Sequence, residues 1–508
     1  MKFFIILTTF LIVSEINAAN KTTTIPVSAA APNSTTPTTQ KPEPKIKVLE
    51  SNLCKRCHCD VKTKTLDCSN ENFLTFFSKE ELNILEHGDV EFETIRLDHN
   101  NIQVISAFPP LPVKKLYLNN NKIDKIENSA FKELIKLEML DISNNQLASS
   151  ALTPAVFEGK YDASLYEPLG KLKELNLGYN QLHTIDADLF EHFPKLEKLV
   201  LGSNQFHVID RLTEIAISSL INLKTLDLSY MQLSTLPPHL LHAPRGLENL
   251  LLSGNLLSKI PEALTYAITL KKLNLDENII TEIDGKNVFP RLPKLEVLNL
   301  SYMPVLTTIG KGAFSGLENL KELMATNNPL LTSIHPSAFS RAAKTNETIL
   351  EYPPMEKLYL HNNNLSSLDK SLLERWDKMT TIDIRTNPWH CDCNNAWLIH
   401  TLYSQILENT GVLSHNIDCA SPPAWKGVSF HDLHDKKKNL RCPDTYGNNP
   451  SKDGAILLGI LIGLVVGIPL TFVLILLYRR GCFGLLGNPG PADYSRAFYK
   501  RAHFGEDL

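Results

Sequence analysis

The sequence predicts an α/β solenoid carried on a single membrane-spanning helix. Three observations lead there: an eleven-residue apolar pattern recurring between residues 92 and 389, two clusters of four cysteines bracketing that region, and an uncharged apolar run at 455–478. At 508 residues the chain is longer than one compact core needs, so an array or several modules is expected. A formal charge of −4 with 43% hydrophobic content gives no sign of a polyanion binder, and nucleic acid is not an expected partner.

The N-terminus begins with Lys2, continues through an apolar stretch at 3–13 and ends in Ala18 and Ala19, the layout of a cleaved secretory signal at 1–19. That apolar stretch is too short for the ~20 residues that span a bilayer. Residues 20–47 are rich in Thr and Pro and read as a disordered stalk, with glycosylation sequons at Asn20 and Asn33. After a short linker at 444–454, the run 455–478 contains only Thr471 as a polar interruption and is followed at once by Arg479 and Arg480. It is long enough to cross the hydrocarbon core, and the two arginines place the tail, 479–508, in the cytoplasm. The expected location is the plasma membrane, type I, with the N-terminus outside.

Between these ends the template L-x-x-L-x-L-x-x-N-x-L reads at 92–102, 113–123, 137–147, 172–182, 196–206, 223–233, 247–257, 270–280, 295–305, 320–330, 355–365 and 379–389. Twelve copies, mostly 23–25 residues apart, form the leucine-rich-repeat signature. Each x-L-x-L piece is a short strand whose alternate leucines enter the core. Parallel strands ~4.8 Å apart would build a concave sheet about 55 Å long. The following Asn turns the chain and satisfies backbone groups between coils. Met231 and Met303 replace it in two copies, where local loosening is expected. A second apolar set, such as Ile126, Phe131 and Leu134, fills the convex side. Two spacings of 35 residues place extra loops at 148–168 and 340–354, away from the inner sheet.

A stack of coils must be covered at both ends. Cys54, Cys57, Cys59 and Cys68 lie before it, and Cys391, Cys393, Cys419 and Cys442 after it. Even sets on the exported side imply disulfides, with zinc at His58 and His390 the disfavoured rival. Four cysteines permit three pairings, and spacing alone does not choose. The first cluster resembles the N-terminal cap (48–91) of extracellular leucine-rich-repeat proteins. Asn387-Pro388-Trp389-His390-Cys391-Asp392-Cys393, with Trp397, Cys419 and Cys442, resembles their C-terminal cap (390–443). The resemblance is to single-pass membrane proteins of the insect adhesion and recognition type, such as Capricious, Tartan and Connectin. It implies the pairs Cys54–Cys59, Cys57–Cys68, Cys391–Cys419 and Cys393–Cys442, with Trp389 and Trp397 buried. The predicted fold is therefore a leucine-rich-repeat horseshoe with a parallel concave sheet, disulfide-bonded caps and one transmembrane helix.

Function should reside on the concave sheet. Its outward column contains Tyr117, Leu251, Met324 and Tyr359, and a second row at the strand exits contains Tyr179, Tyr230 and Tyr302. Exposed aromatic and large apolar residues of this kind suit a protein ligand. Asn299 is a sequon within that column, so a glycan there would push binding toward the N-terminal half or the flank; Asn346 and Asn364 are further sequons. Gly459, Gly463 and Gly467 put small residues on one helix face, a candidate homodimer contact, and Cys482 is a candidate palmitoylation site. Catalytic motifs are absent from the sequence: it has no Gly-x-Ser-x-Gly, no His-Glu-x-x-His and no phosphate-cradling loop. His431, Asp432, His434 and Asp435 read as surface charges of the cap. The expected function is a cell-surface recognition or adhesion receptor without cofactor; the alternative is a ligand-binding co-receptor, of innate immune type, signalling through a partner.

Overall fold

The computed structural model describes residues 46–161, 166–342, 349–440, 442 and 453–480. The signal at 1–19, nearly all of the stalk, Asn20, Asn33, Asn346 and the tail with Cys482 lie outside them. The fold is a leucine-rich-repeat solenoid built on one fourteen-stranded sheet. It starts as an antiparallel hairpin, His58–Asp60 against Thr65–Asp67. Twelve three-residue strands follow, from Thr94–Arg96 to Thr381–Asp383, all parallel and in unbroken register. Central residues such as Ile95, Leu116, Leu140 and Leu199 are wholly buried. Each contributes about 1.5–3 kcal/mol, realised only because a neighbouring coil covers it.

The asparagines bind each coil to the one before. The Asn255 amide donates to the carbonyls of Leu228 and Leu252, both at 2.9 Å. Its Oδ1 accepts from Met231 N at 3.1 Å and Leu233 N at 3.0 Å. Asn121 and Asn278 bridge their preceding coils in the same way. In all twelve coils the residue just before this position is left-handed, from His99 (φ 57°) through Tyr179 (54°) and Tyr302 (57°) to Thr386 (54°). A non-glycine residue pays about 1–2 kcal/mol for that conformation. The stack imposes it, since each such N–H donates to the next coil, as Tyr302 does to Thr326 O at 2.9 Å.

The loosening expected at Met231 and Met303 is not seen. Both side chains are wholly buried and the strands pair without a shift. Met303 N donates to Asn328 Oδ1 at 2.7 Å, as Asn328 N does to Asn363 Oδ1 at 2.9 Å in the next coil, and Met231 O accepts from His207 N at 3.0 Å.

A charge ladder runs where the strands begin. The residue after the first template position alternates in sign over eleven coils: Glu93, Lys114, Glu138, Lys173, Glu197, Lys224, Glu248, Lys271, Glu296, Lys321, Glu356. Neighbours pair, Glu93 with Lys114 at 2.6 Å and Glu197 with Lys224 and Glu248 with Lys271 at 2.9 Å each. Lys114 and Lys64 together hold the Glu93 carboxyl down at about 2. Exposed pairs are individually weak, but alternation makes any coil slip place like charges together.

The convex side is filled by phenylalanines: Phe76, Phe108, Phe131, Phe157 and Phe193 follow one another at centroid distances of 4.9–6.1 Å. Phe157 comes from the first long insertion, which is more than a surface loop. It forms the short helix Pro154–Phe157 and an antiparallel hairpin, Lys160–Tyr161 against Tyr166–Glu167. The second insertion forms a like hairpin, Arg341–Ala342 against Leu350–Glu351.

The caps close both ends. Cys54 is bonded to Cys59, Cys57 to Cys68, Cys391 to Cys419 and Cys393 to Cys442. Trp389 is fully buried and donates to Ile384 O at 3.1 Å. Trp397, expected to be buried too, is only half covered, because it packs at the rim against Trp376 at 5.2 Å. His431 pairs with Asp435 and Lys436 with Asp432 on the cap surface. The helix Gly454–Arg479 has 26 residues, about 39 Å in length, and contains an 18-residue stretch of mean hydropathy 3.0, none of it buried.

Two predictions follow from stacking and capping. Lys224→Glu sets three glutamates in a row and lowers the melting temperature by about 1–2 °C at low salt, a loss that shrinks in 1 M NaCl, where screening reaches about 3 Å. Replacing Cys391 and Cys419 together by serine opens a loop of separation 28 and costs about 3–4 kcal/mol in denaturant unfolding.

Candidate ligand-binding face

The large side chains of the sheet column are less available than the pattern implies. Tyr117, Leu251, Met324 and Tyr359 are all half-buried. Register sets Met324 beside Tyr359. Tyr117 lies under the Arg96 guanidinium, 5.3 Å from its ring centre. Asp98, itself buried, grips that guanidinium at 3.1 and 2.9 Å.

The strand exits are different. Tyr179, Tyr230 and Tyr302 are 64%, 46% and 58% exposed. Their left-handed backbone turns the side chain out of the sheet, which sequence spacing alone does not reveal. The Tyr230 ring lies across Gly254 of the next coil, where an added Cβ would sit 2.1 Å from a ring carbon. Gly254 is also left-handed, at φ 64°, so two constraints require glycine there. The phenol then donates to Glu277 of the coil beyond at 2.8 Å, and that hydrogen bond raises the Tyr230 pKa.

A second row was not singled out in the sequence. The position after the ladder asparagine is polar in the first six coils (Asn101, Lys122, Gln146, Gln181, Gln205, Gln232) and then turns apolar: Leu256, Ile279, Pro304, Pro329. Leu256, Ile279 and the adjoining Leu330 are 46%, 38% and 47% exposed. Backbone bonds stack this row coil on coil, Leu256 N to Leu233 O at 2.9 Å and Ile279 N to Leu257 O at 3.1 Å. Together with Tyr230 and Tyr302 it forms an apolar ridge along the exit flank of five consecutive coils. The signal was present as a polar-to-apolar switch at one template position.

Asn299 is half-buried beneath this ridge, and its Oδ1 has no partner among the described residues. Beside it the Asp276 carboxylate accepts from Ser301 N at 2.7 Å, while its own N–H donates to Asn274 Oδ1 at 2.8 Å. Burial raises the Asp276 carboxyl above its ordinary value, against the lowering effect of these bonds. Asn364 is exposed, in the same template position as Leu256 and one coil beyond Leu330's. Among the described residues no group of three or more His, Cys, Asp or Glu is arranged to hold a metal. Gly459, Gly463 and Gly467 have nothing within 4 Å of an added Cβ.

Sequence comparison agrees with this architecture. A leucine rich repeat model matches 112–159, 162–206 and 268–330, and a second matches 222–243, about a third of the chain in all. The coils at 92–102, 247–257, 355–365 and 379–389 lie outside these matches yet carry strands in the same register. Human podocan-like protein 1 is 28% identical over 220 residues, 42% of this chain and 39% of that protein. Chicken keratocan is 31% identical over 196 residues, 38% and 50% of the two chains; bovine lumican is 29% identical over 212 residues, 40% and 54%. The chain thus spans roughly half the length, or less, of these relatives. A Leptospira interrogans leucine-rich-repeat protein aligns with a TM-score of 0.47 at 21% identity, over 65% of this chain and 80% of its own. The Drosophila Toll–Spätzle complex aligns at 0.44 and 19%, over 71% and 56%.

The Asp276 environment gives a pH-dependent prediction. A carboxyl raised in the folded state weighs against folding when ionised, above that raised value, and the penalty vanishes as pH falls below the unfolded value of 3.8. Asp276→Asn therefore raises the melting temperature at pH 7, while keeping an acceptor for Ser301. The gap from the parent closes as the pH approaches about 3.5.

Proposed function

We propose that this chain is a cell-surface recognition or adhesion receptor, held in the plasma membrane by the helix Gly454–Arg479 and binding a protein ligand with the concave sheet and its exit flank. The observation that carries this reading is the set of exposed tyrosines, Tyr179, Tyr230 and Tyr302, held rigidly on a scaffold whose own backbone is already satisfied. Fixed aromatic side chains lose little entropy on binding and present large apolar area with a polar tip. The apolar helix followed by Arg479 and Arg480 supports type I insertion, with the disulfide caps on the oxidising side. The likeness to insect adhesion receptors belongs to the same reading, as does glycosylation at exposed Asn364. Helix pairing through Gly459, Gly463 and Gly467 would bring two receptors together.

Cells displaying the full chain are expected to adhere to one another or to a second cell type above mock-transfected controls. Changing Tyr179, Tyr230 and Tyr302 together to Asn, which tolerates the left-handed backbone, should cut that adhesion at least tenfold with surface level unchanged. No adhesion in any pairing sinks the adhesion reading. Capture of a soluble ligand instead would favour the co-receptor.

A further inference from the structure

Resting on the receptor reading, we propose that the exit-flank ridge over the five coils from Tyr230 to Leu330 is the docking site for an extended, basic segment of a protein partner. The first argument is charge. In each of these coils four positions face the ridge: the last strand residue, the residue two beyond it, the left-handed residue and the one after the ladder position. Across the five coils they contain Asp227, Asp276 and Glu277, and no lysine, arginine or histidine. Within the eleven-residue templates of these coils the cations lie at the strand starts, where Lys224, Lys271 and Lys321 pair with Glu197, Glu248 and Glu296. The exit flank thus carries uncompensated negative charge beside an electrically balanced edge.

The second argument is the kind of surface. Tyr230 and Tyr302 present ring area to solvent, a seat for a guanidinium or ammonium that Glu277 then neutralises. Leu256 and Ile279 between them are exposed and apolar, with no covering element among the described residues. The ridge therefore combines apolar stations with an anionic-aromatic cluster of Tyr230, Glu277 and Tyr302, and the complementary strand combines apolar and basic side chains. Five coils at ~4.8 Å give about 20 Å, the length of roughly six extended residues. Neighbouring copies of the row limit the site: the preceding coils offer Gln181 and Gln205, and the following coil offers the sequon residue Asn364.

The test uses the full chain in zwitterionic lipid nanodiscs and fluorescent ten-residue peptides, read by polarisation. Three peptide sets share the same alternating leucine and valine positions and carry Arg, Gln or Glu between them. The Arg set is expected to bind at least tenfold more tightly than the Gln and Glu sets, and to weaken as NaCl rises. Leu256→Gln with Ile279→Gln should reduce Arg-set binding at least tenfold. Glu277→Lys should abolish the preference for Arg over Glu, while Leu74→Ser, at an exposed position of the N-terminal cap, leaves binding unchanged. Equal binding of the three sets, or Arg-set binding indifferent to the ridge substitutions, overturns the proposal. So does self-association of the nanodisc-bound chain that the ridge substitutions abolish, which would make a second copy the occupant. The cell-adhesion assay run on the same variants separates the two readings: adhesion that persists unaltered by the ridge substitutions leaves the receptor standing without this site, whereas absent adhesion removes the receptor reading itself.

Discussion

Every coil of this protein ends its strand in a turn with buried backbone groups to satisfy, and in ten of the twelve coils a buried asparagine bonds them, within its own coil and across to the neighbouring ones. A buried amide or carbonyl left unpaired costs about 1–3 kcal/mol, and most rungs satisfy several of them, Asn255 bonding Leu228 O, Leu252 O, Met231 N and Leu233 N. The rung also spans two coils, so it converts a local turn into a stacking interaction. The left-handed residue before it is tolerated because both its neighbours are fixed, one by the rung and one by the next coil. The outward tyrosines depend on that arrangement: Tyr179, Tyr230 and Tyr302 are exposed because their backbone is forced out of the sheet.

The two edges of the sheet divide the remaining tasks. Where strands begin, alternating Glu and Lys neutralise one another and penalise misregister. Where they end, the polar row of the first six coils gives way to Leu256, Ile279, Pro304 and Pro329. A soluble surface has no need of such a row, and large exposed apolar patches mark interaction sites. The structural edge is balanced and saturated with internal ion pairs, whereas the other edge keeps its aromatic and apolar groups free.

Much of the scaffold was legible in the sequence because its constraints are periodic. The leucines at strand centres and the ladder asparagines recur at fixed offsets, and burial and hydrogen bonding explain them coil by coil. What periodicity missed came from context between coils. Met231 and Met303 look like breaks in one coil, yet the neighbouring rung at Asn255 or Asn328 supplies the bonds. Phe157 sits in an insertion outside any template, and only the stack shows it filling the space between Phe131 and Phe193. For the binding face, strand alternation located Tyr117, Leu251, Met324 and Tyr359 but not their burial, since flanking coils and Arg96 cover them. The ridge escaped because one template position changed character halfway along, a trend across coils rather than a motif within one.

The central claim is that the asparagine rungs hold the coils in register and thereby fix the binding flank. Hydrogen exchange of an Asn255→Leu variant tests it most directly, because leucine keeps the volume and removes the bonds. The amides of Met231 and Leu233, which donate to Asn255, should lose protection by orders of magnitude, with lesser losses spreading through the two coils that meet there. Protection at those two amides unchanged from the parent would contradict the account.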